Sequence, residues 1–485
     1  MTDIGITRFG AYVPSLRIGR TTIGAATAWL DPNILGGAKG EKAFCNWDED
    51  TLTMAVEAAR DCVGLHYPGT VDAVALASTT AMFFDRSSAA LLAEALSLGE
   101  NIATAEYAGS RRVATNALIL AFGAAGSGET LVAASDRRVA RPGSPQEMAY
   151  GHGAAAVTIG SGERVIARIV ASHSNAHDFV DQYRQSESGF DYALEERWVR
   201  DEGWLKAVPP AVEAALKKAN VRASNVSHTI IPASRAIADA VVKSCGLPAT
   251  ALADTLALTV GDTGASYPLL LLAACLEKAK PGDTVLVTSF GQGCDAIVLQ
   301  ITDAIIPYRQ TRGPLDIARR GDLEGNYLKY LAFSGLVAVH SGMRAEHDKR
   351  TAHSVAARKH QMLTGLIGGK CSACGTVQFP RTRACVNPAC GAFDTQAPYN
   401  LRERAAVVKT FTEDWLAYTP SPPLIYGNIQ FADGANIMMD MTDVGPGAIK
   451  VGMAMRMVFR IKDIDERRDF RRYFWKAVPV KGGDL

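Results

Sequence analysis

The first three hundred residues of this 485-residue chain read as one structural unit written twice. GETLVAASD at 128–136 matches GDTVLVTSFG at 282–291, an offset of 154 residues. Nearly the same offset relates VDAVALAST (71–79) to VSHTIIPAS (226–234). It also relates AGSRRVATNALILA, opening near Ser110, to VGDTGASYPLLLLAA, opening near Gly264. GHGAAAVTIG (151–160) then matches GQGCDAIVLQ (291–300) at an offset of 140, so the first copy carries about fourteen extra residues, RRVARPGSPQEMAY. A repeat on this scale dictates architecture. Each copy reads strand–helix–strand–helix–strand–strand, and the strands are continuous apolar runs, as buried parallel strands covered by helices require. The expected fold is α/β: a duplicated five-layered αβαβα body over residues 1–305, with halves of about 1–165 and 166–305. Each half gives one buried helix whose N-terminus points at a common cleft. Free N–H groups and a positive dipole end there suit an enolate or oxyanion.

The last third reads differently. Cys371, Cys374, Cys385 and Cys390 lie in KCSACGTVQFPRTRACVNPACG, two thiol pairs separated by ten residues. Thiolates at this spacing select a structural, tetrahedral Zn²⁺. Gly375 and Gly391 follow the second cysteine of each pair, where the turn needs positive φ. We assign the zinc ribbon to 367–400, a helical linker to 306–366 and a small β-barrel, OB-like, to 401–480. The other five cysteines are scattered, which reads as reduced thiols and a cytoplasmic protein. Formal charges nearly cancel, 51 Lys and Arg against 50 Asp and Glu, giving no reason to expect a nucleic-acid partner. No apolar run is long enough for a membrane helix, and the N-terminus lacks the pattern of a secretion signal.

NWDEDTLTMAVEAAR (46–60), GDTGAS (261–266) and KPGDTVLVTSFGQGCDA (280–296) resemble the thiolase superfamily, in particular its 3-hydroxy-3-methylglutaryl-CoA synthase branch. The cysteine segment with the strands after it resembles the DUF35-type zinc-ribbon/OB proteins that accompany thiolase-like enzymes. The resemblance implies carbon–carbon bond formation or cleavage on an acyl-CoA, with coenzyme A as part of the substrate. It also implies a homodimer built through the first body.

The family's chemistry uses a cysteine nucleophile at a helix start, a histidine and a glutamate, and this sequence departs from it at each matched place. The cysteine position falls on Gly109, Ser110 or Arg111, the glutamate position on Thr79 or a neighbour, and the histidine position near Ile231–Ser234. Three alternatives stay open. Ser110 is a nucleophile or merely an N-cap. Alternatively, an aldolase or retro-aldolase reaction on a 3-hydroxyacyl-CoA proceeds without a covalent intermediate, using Asp262, His152 or Tyr150. As a third reading, Cys294 in GQGC supplies a thiol, as thiolases do from a Gly-rich loop. Arg111, Thr79, Gly264, Ser266 and Gly293 are the candidate substrate contacts. A non-enzymatic reading, a thiolase-like scaffold for a partner enzyme, remains beside these.

Overall fold

The computed structural model describes residues 3–480 except 65–70, 127, 186–187, 313–314, 316, 318–320 and 341–351. The chain divides into two units, one of residues 1–45, 50–90 and 101–334, the other of residues 46–49, 91–100 and 335–485.

In the first unit, local sequence sets each element before packing does. Helix Thr51–Val63 starts in a capping box. The Asp50 carboxylate accepts from the Thr53 N–H at 3.0 Å, and Thr53 Oγ1 accepts from the Asp50 N–H at 2.8 Å. The helix stops at Gly64, whose φ of +68° costs glycine nothing. Nine strands form the main sheet in the order Ala103–Tyr107, Val71–Ala77, Glu129–Arg137, His152–Ser161, Ile4–Tyr12, Ala167–Ala176, Gly293–Ile301, Thr284–Phe290, His228–Ile230. The first five belong to one copy and the last four to the other. They meet at a short antiparallel seam, Gly5 opposite Arg168 and Ile6 opposite Ala167. The second copy's missing strand survives as a single bridge between Thr229 and Leu252.

The two central helices, Val113–Ala124 and Tyr267–Leu276, are apolar on nearly every face, which suits burial between layers. Both touch strands from both copies and share one core with them. Thr51–Val63 covers the outer face of the first copy. Leu205–Ala219 and Arg235–Ser244 cover that of the second, over a separate core containing Trp204, Phe290 and Cys294. The helix–sheet–helix–sheet–helix order is the one the duplication predicts. The fourteen extra residues of the first copy hold a short helix, Pro145–Ala149.

The stretch expected to be a helical linker is only partly helical. Ile305–Arg312 and Tyr327–Phe333 are helices, but Asp322–Glu324 is a strand, pairing in parallel with Leu16–Gly19. A three-residue strand leaves no alternation to read. His353–Arg358 and His360–Leu363 are short helices of the second unit, and the AEHDKR stretch before them lies outside the described residues.

The second unit has two sheets. Ile367–Cys371 pairs with Val377–Gln378 on one side and Gln396–Asn400 on the other, carrying the cysteine segment. Five strands follow in the order Asn436–Asp440, Leu424–Phe431, Ala406–Asp414, Ala454–Asp465, Phe470–Pro479. A bridge from Met441 to Ala477 brings the ends of this order together, and Phe431, Met457, Phe459 and Trp475 fill its interior. Residues 46–49 belong here through buried charge. Lys476 Nζ meets Asp48 Oδ2 at 2.9 Å, and Arg460 Nη2 meets Glu49 Oε1 at 3.2 Å and Asp443 Oδ2 at 2.9 Å.

Gly10 tests the packing of the first unit. A Cβ there would lie 2.2 Å from the Cys62 nitrogen and 2.6 Å from the Ala58 oxygen, both helix backbone. Gly10→Ala is expected to lower unfolding free energy by roughly 1–3 kcal/mol, as overpacking does. Gly123→Ala, which meets open space in a helix, is expected to be neutral or mildly stabilising. Equal denaturation midpoints for Gly10→Ala and the parent chain would contradict this register.

Candidate active site and metal centre

The cleft candidates gather where the two central helices begin. Residues 109–112 lead into Val113–Ala124, and Gly264–Ser266 forms a 3-10 turn leading into Tyr267–Leu276. Arg111 and Asp262 bridge the two starts as an ion pair, with side chains about one fifth exposed. Asp262 also accepts from the Gly264 N–H at 2.9 Å. Burial works against the Arg111 charge, but Asp262, Tyr150 and Asp181 outweigh it and raise its pKa. Tyr150 packs beneath the Arg138 guanidinium, 4.9 Å from the ring centroid, and burial pushes its phenol up to about 12.

Ser110 directs its hydroxyl elsewhere. Its Oγ donates to the Gly291 carbonyl at 2.8 Å, so its proton rests on a group that is no base. Arg112 also donates to that carbonyl at 3.0 Å and pairs with Asp295 at 2.9 Å. Asp295 is fully buried and accepts from Thr115 at 2.6 Å, Asn116 at 2.7 Å and Ser174 at 2.7 Å. It therefore anchors the first turn of the helix.

Thr79 lies against a second buried carboxylate, Asp136. Asp136 Oδ1 accepts from Ser78 Oγ at 2.9 Å, the Thr79 N–H at 2.7 Å and Thr80 Oγ1 at 2.9 Å. Its Oδ2 accepts from Thr79 Oγ1 at 2.7 Å and the Ala265 N–H at 2.8 Å. One side chain thus ties the loop after Val71–Ala77 to the start of the second central helix. Gly264 is required beside it: φ is +65°, and a Cβ would sit 2.4 Å from Asp136 Oδ2.

Four further candidates, Ser266 of that same turn among them, are held in the packing. His152 is buried with both ring nitrogens engaged: Nδ1 accepts from the Cys45 N–H at 2.9 Å, and Nε2 lies 3.0 Å from the Arg138 carbonyl. Burial, reinforced by Arg137 and Lys42, lowers its pKa to about 3, so the ring is neutral. Cys294 points into the outer core beside Trp204 and Phe290, where burial raises its thiol pKa. Ser266 is fully buried, and its hydroxyl lies 2.9 Å from the carbonyls of Gly153 and Thr263. Gly293, with φ of +122°, is needed because a Cβ would lie 2.2 Å from the Asn175 oxygen.

Sequence reasoning missed Asp136, Asp181, Asp191 and Asp295. A signal existed for two of them: an aspartate inside an apolar strand, as in LVAASD and GCDAIVL, must find donors when buried. Asp136→Asn turns an amide toward donors that need an acceptor. It is expected to cost about 1–3 kcal/mol of stability, measurable as a lower denaturation midpoint.

In the second unit the four cysteine sulfurs converge, all within 4.8 Å of one another. Cys374 and Cys385 sulfurs are 3.6 Å apart, and those of Cys371 and Cys390 4.0 Å. Four sulfurs at about 2.3 Å around a tetrahedral Zn²⁺ are about 3.8 Å apart, so the donor set fits zinc. Gly375 and Gly391 have φ of +76° and +57°, as expected from the spacing. A Cys374→Ser, Cys390→Ser variant is expected to lose nearly all of one zinc per chain and amide protection over 368–391. Full zinc content in that variant would refute the site.

Comparison with known proteins agrees with this geometry. The family described as 3-oxoacyl-(acyl-carrier-protein) synthase III C terminal matches residues 216–301, and the rubredoxin-like zinc ribbon domain of ChsH2 matches 365–396. A hydroxymethylglutaryl-CoA synthase of Aeropyrum pernix is 29% identical over 347 residues, covering 70% of this chain and 96% of the relative. One of Methanosarcina barkeri is 27% identical, covering 69% and 99%. Among solved structures, an HMG-CoA synthase complexed with CoA superposes with a TM-score of 0.59 at 16% identity, covering 71% of this chain and 92% of that one. FabH from Pseudomonas aeruginosa PAO1 gives 0.54 at 20% identity, covering 62% and 99%. The chain thus joins a body similar in sequence to hydroxymethylglutaryl-CoA synthases, with the fold those solved structures share, to a segment similar to the zinc ribbon of ChsH2.

Proposed function

We propose that the chain makes or breaks a carbon–carbon bond in a CoA thioester without a covalent acyl-enzyme, as an aldol or retro-aldol reaction of a 3-hydroxyacyl-CoA. Similarity to hydroxymethylglutaryl-CoA synthases supports an acyl-CoA substrate. The observation carrying the reading is the Arg111–Asp262 pair at the helix start where the superfamily presents its cysteine. Acyl transfer needs an ionised thiol, and burial raises the pKa of Cys62, Cys245, Cys275 and Cys294. The donation from Ser110 to Gly291 argues against a serine nucleophile.

Cleavage of a 3-hydroxyacyl-CoA places charge on a thioester enolate, which needs a positive, desolvated partner and no nucleophile. Arg111 supplies it, and Asp262 holds the guanidinium in place. Assembly as a dimer through the first body belongs to the same reading. Ala103–Tyr107 ends the nine-stranded sheet with four of its five residues exposed, an edge open to strand pairing.

The test is turnover of a series of 3-hydroxyacyl-CoA thioesters to a shorter acyl-CoA plus an aldehyde or ketone. Arg111→Ala is expected to lower kcat/KM by about 10²-fold or more, read on the fraction of the variant that remains folded. Condensation of acetyl-CoA that depends on Cys294 would overturn the reading in favour of acyl transfer. Absence of turnover together with a tightly co-purifying enzyme would favour the scaffold.

A further inference from the structure

A short hairpin, too brief to show a strand period, lies among these residues. Gln182–Tyr183 pairs with Tyr192–Ala193, and the Leu194 N–H donates to the Asp181 carbonyl at 2.9 Å, closing its base. Asp191 pins it through a buried pair with Arg138, 2.6 Å from Nη2, and a longer one with Arg184 at 3.4 Å. Arg184 also donates to the Thr79 carbonyl. The hairpin thereby fixes Asp181, 7% exposed, within the electrostatic reach of Arg111 and Arg138.

Five buried or half-buried aspartates surround the two helix starts, and four are committed. Asp136 and Asp295 accept from several side chains, Asp191 is paired with two arginines and Asp262 with Arg111. No side chain among the described residues hydrogen-bonds to the Asp181 carboxylate, and the Asp181 N–H is spent on the Phe179 carbonyl at 3.1 Å. Its carboxylate therefore has lone pairs left for a substrate proton. Burial raises its pKa, and Arg111 and Arg138 oppose that rise without cancelling it.

We infer that Asp181 is the acid–base group of the carbon–carbon bond step, a role that rests on the function proposed above. In cleavage, the Asp181 carboxylate takes the proton of the substrate's 3-hydroxyl. The C2–C3 bond breaks, C3 becomes a carbonyl carbon, and the electron pair forms the thioester enolate against Arg111. The protonated Asp181 then returns its proton to C2, releasing the shorter acyl-CoA. Protons and electrons balance with no further reactant, and condensation is the same path reversed. In the cleavage direction Asp181 must start ionised, so kcat/KM rises with pH through its raised pKa. The charged groups facing it are Arg111 and Arg138, with Asp191, Asp262 and Tyr150 around those arginines.

The experiment compares the full chain with Asp181→Asn and Asp181→Glu. It reads kcat, KM, the pH profile of cleavage, thermal unfolding, and exchange of C2 hydrogens of the product acyl-CoA with D₂O. Asp181→Asn is expected to lower kcat and exchange by about 10²-fold or more, to leave KM within a few-fold, and to abolish the acid limb. Asp181→Glu is expected to keep part of the activity with the limb displaced. An Asn variant that keeps the limb and kcat overturns the inference. Should the Asn variant fail to fold, an undisplaced limb in Asp181→Glu overturns it. Parent chain that neither cleaves nor exchanges would sink the proposed function itself; a fully active Asn variant sinks only the role of Asp181.

Discussion

Two helix N-termini aimed at one place repel each other, and the first unit depends on how that repulsion is relieved. Each start carries free N–H groups and a partial positive charge. At the start of Tyr267–Leu276, Asp262 accepts from the Gly264 N–H and Asp136 from the Ala265 N–H. At the start of Val113–Ala124, Asp295 takes Arg112, Thr115 and Asn116. Arg111 then joins the two starts through Asp262. Carboxylates thus meet both starts, and Asp262 meets the Arg111 charge as well.

The duplication was legible because it rests on hydrophobic runs, which must recur wherever a sheet is covered twice. The strand reduced to one bridge at Leu252 and the three-residue strand Asp322–Glu324 were not, because neither is long enough to show a period. The metal centre was legible for the opposite reason. All four ligands lie within twenty residues, and their turns demand glycine at 375 and 391. The candidate cleft was legible only in part. Ser110, Arg111, Asp262 and Gly264 come together as the repeat implies, whereas His152, Cys294, Ser266 and Gly293 serve packing. Asp136 and Asp191 act through partners about fifty to one hundred and thirty residues away, a distance no local pattern encodes.

Residues 46–49 show the same limit. NWDE runs straight into the helix that Asp50 caps, so in sequence it belongs to the first unit. Its packing places it in the second, where Asp48 and Glu49 face Lys476 and Arg460 in nearly complete burial. Buried pairs of this kind lose several kcal/mol if one partner is removed, which fixes the pairing more than it adds stability.

The central claim is that chemistry at the Arg111 site proceeds without an acyl-enzyme. Intact-protein mass spectrometry after incubation with excess acyl-CoA, quenched in acid, tests it most directly. The account predicts an unchanged protein mass. A mass increase equal to the acyl group, mapped to Ser110 or to any cysteine outside the zinc ribbon, would contradict it.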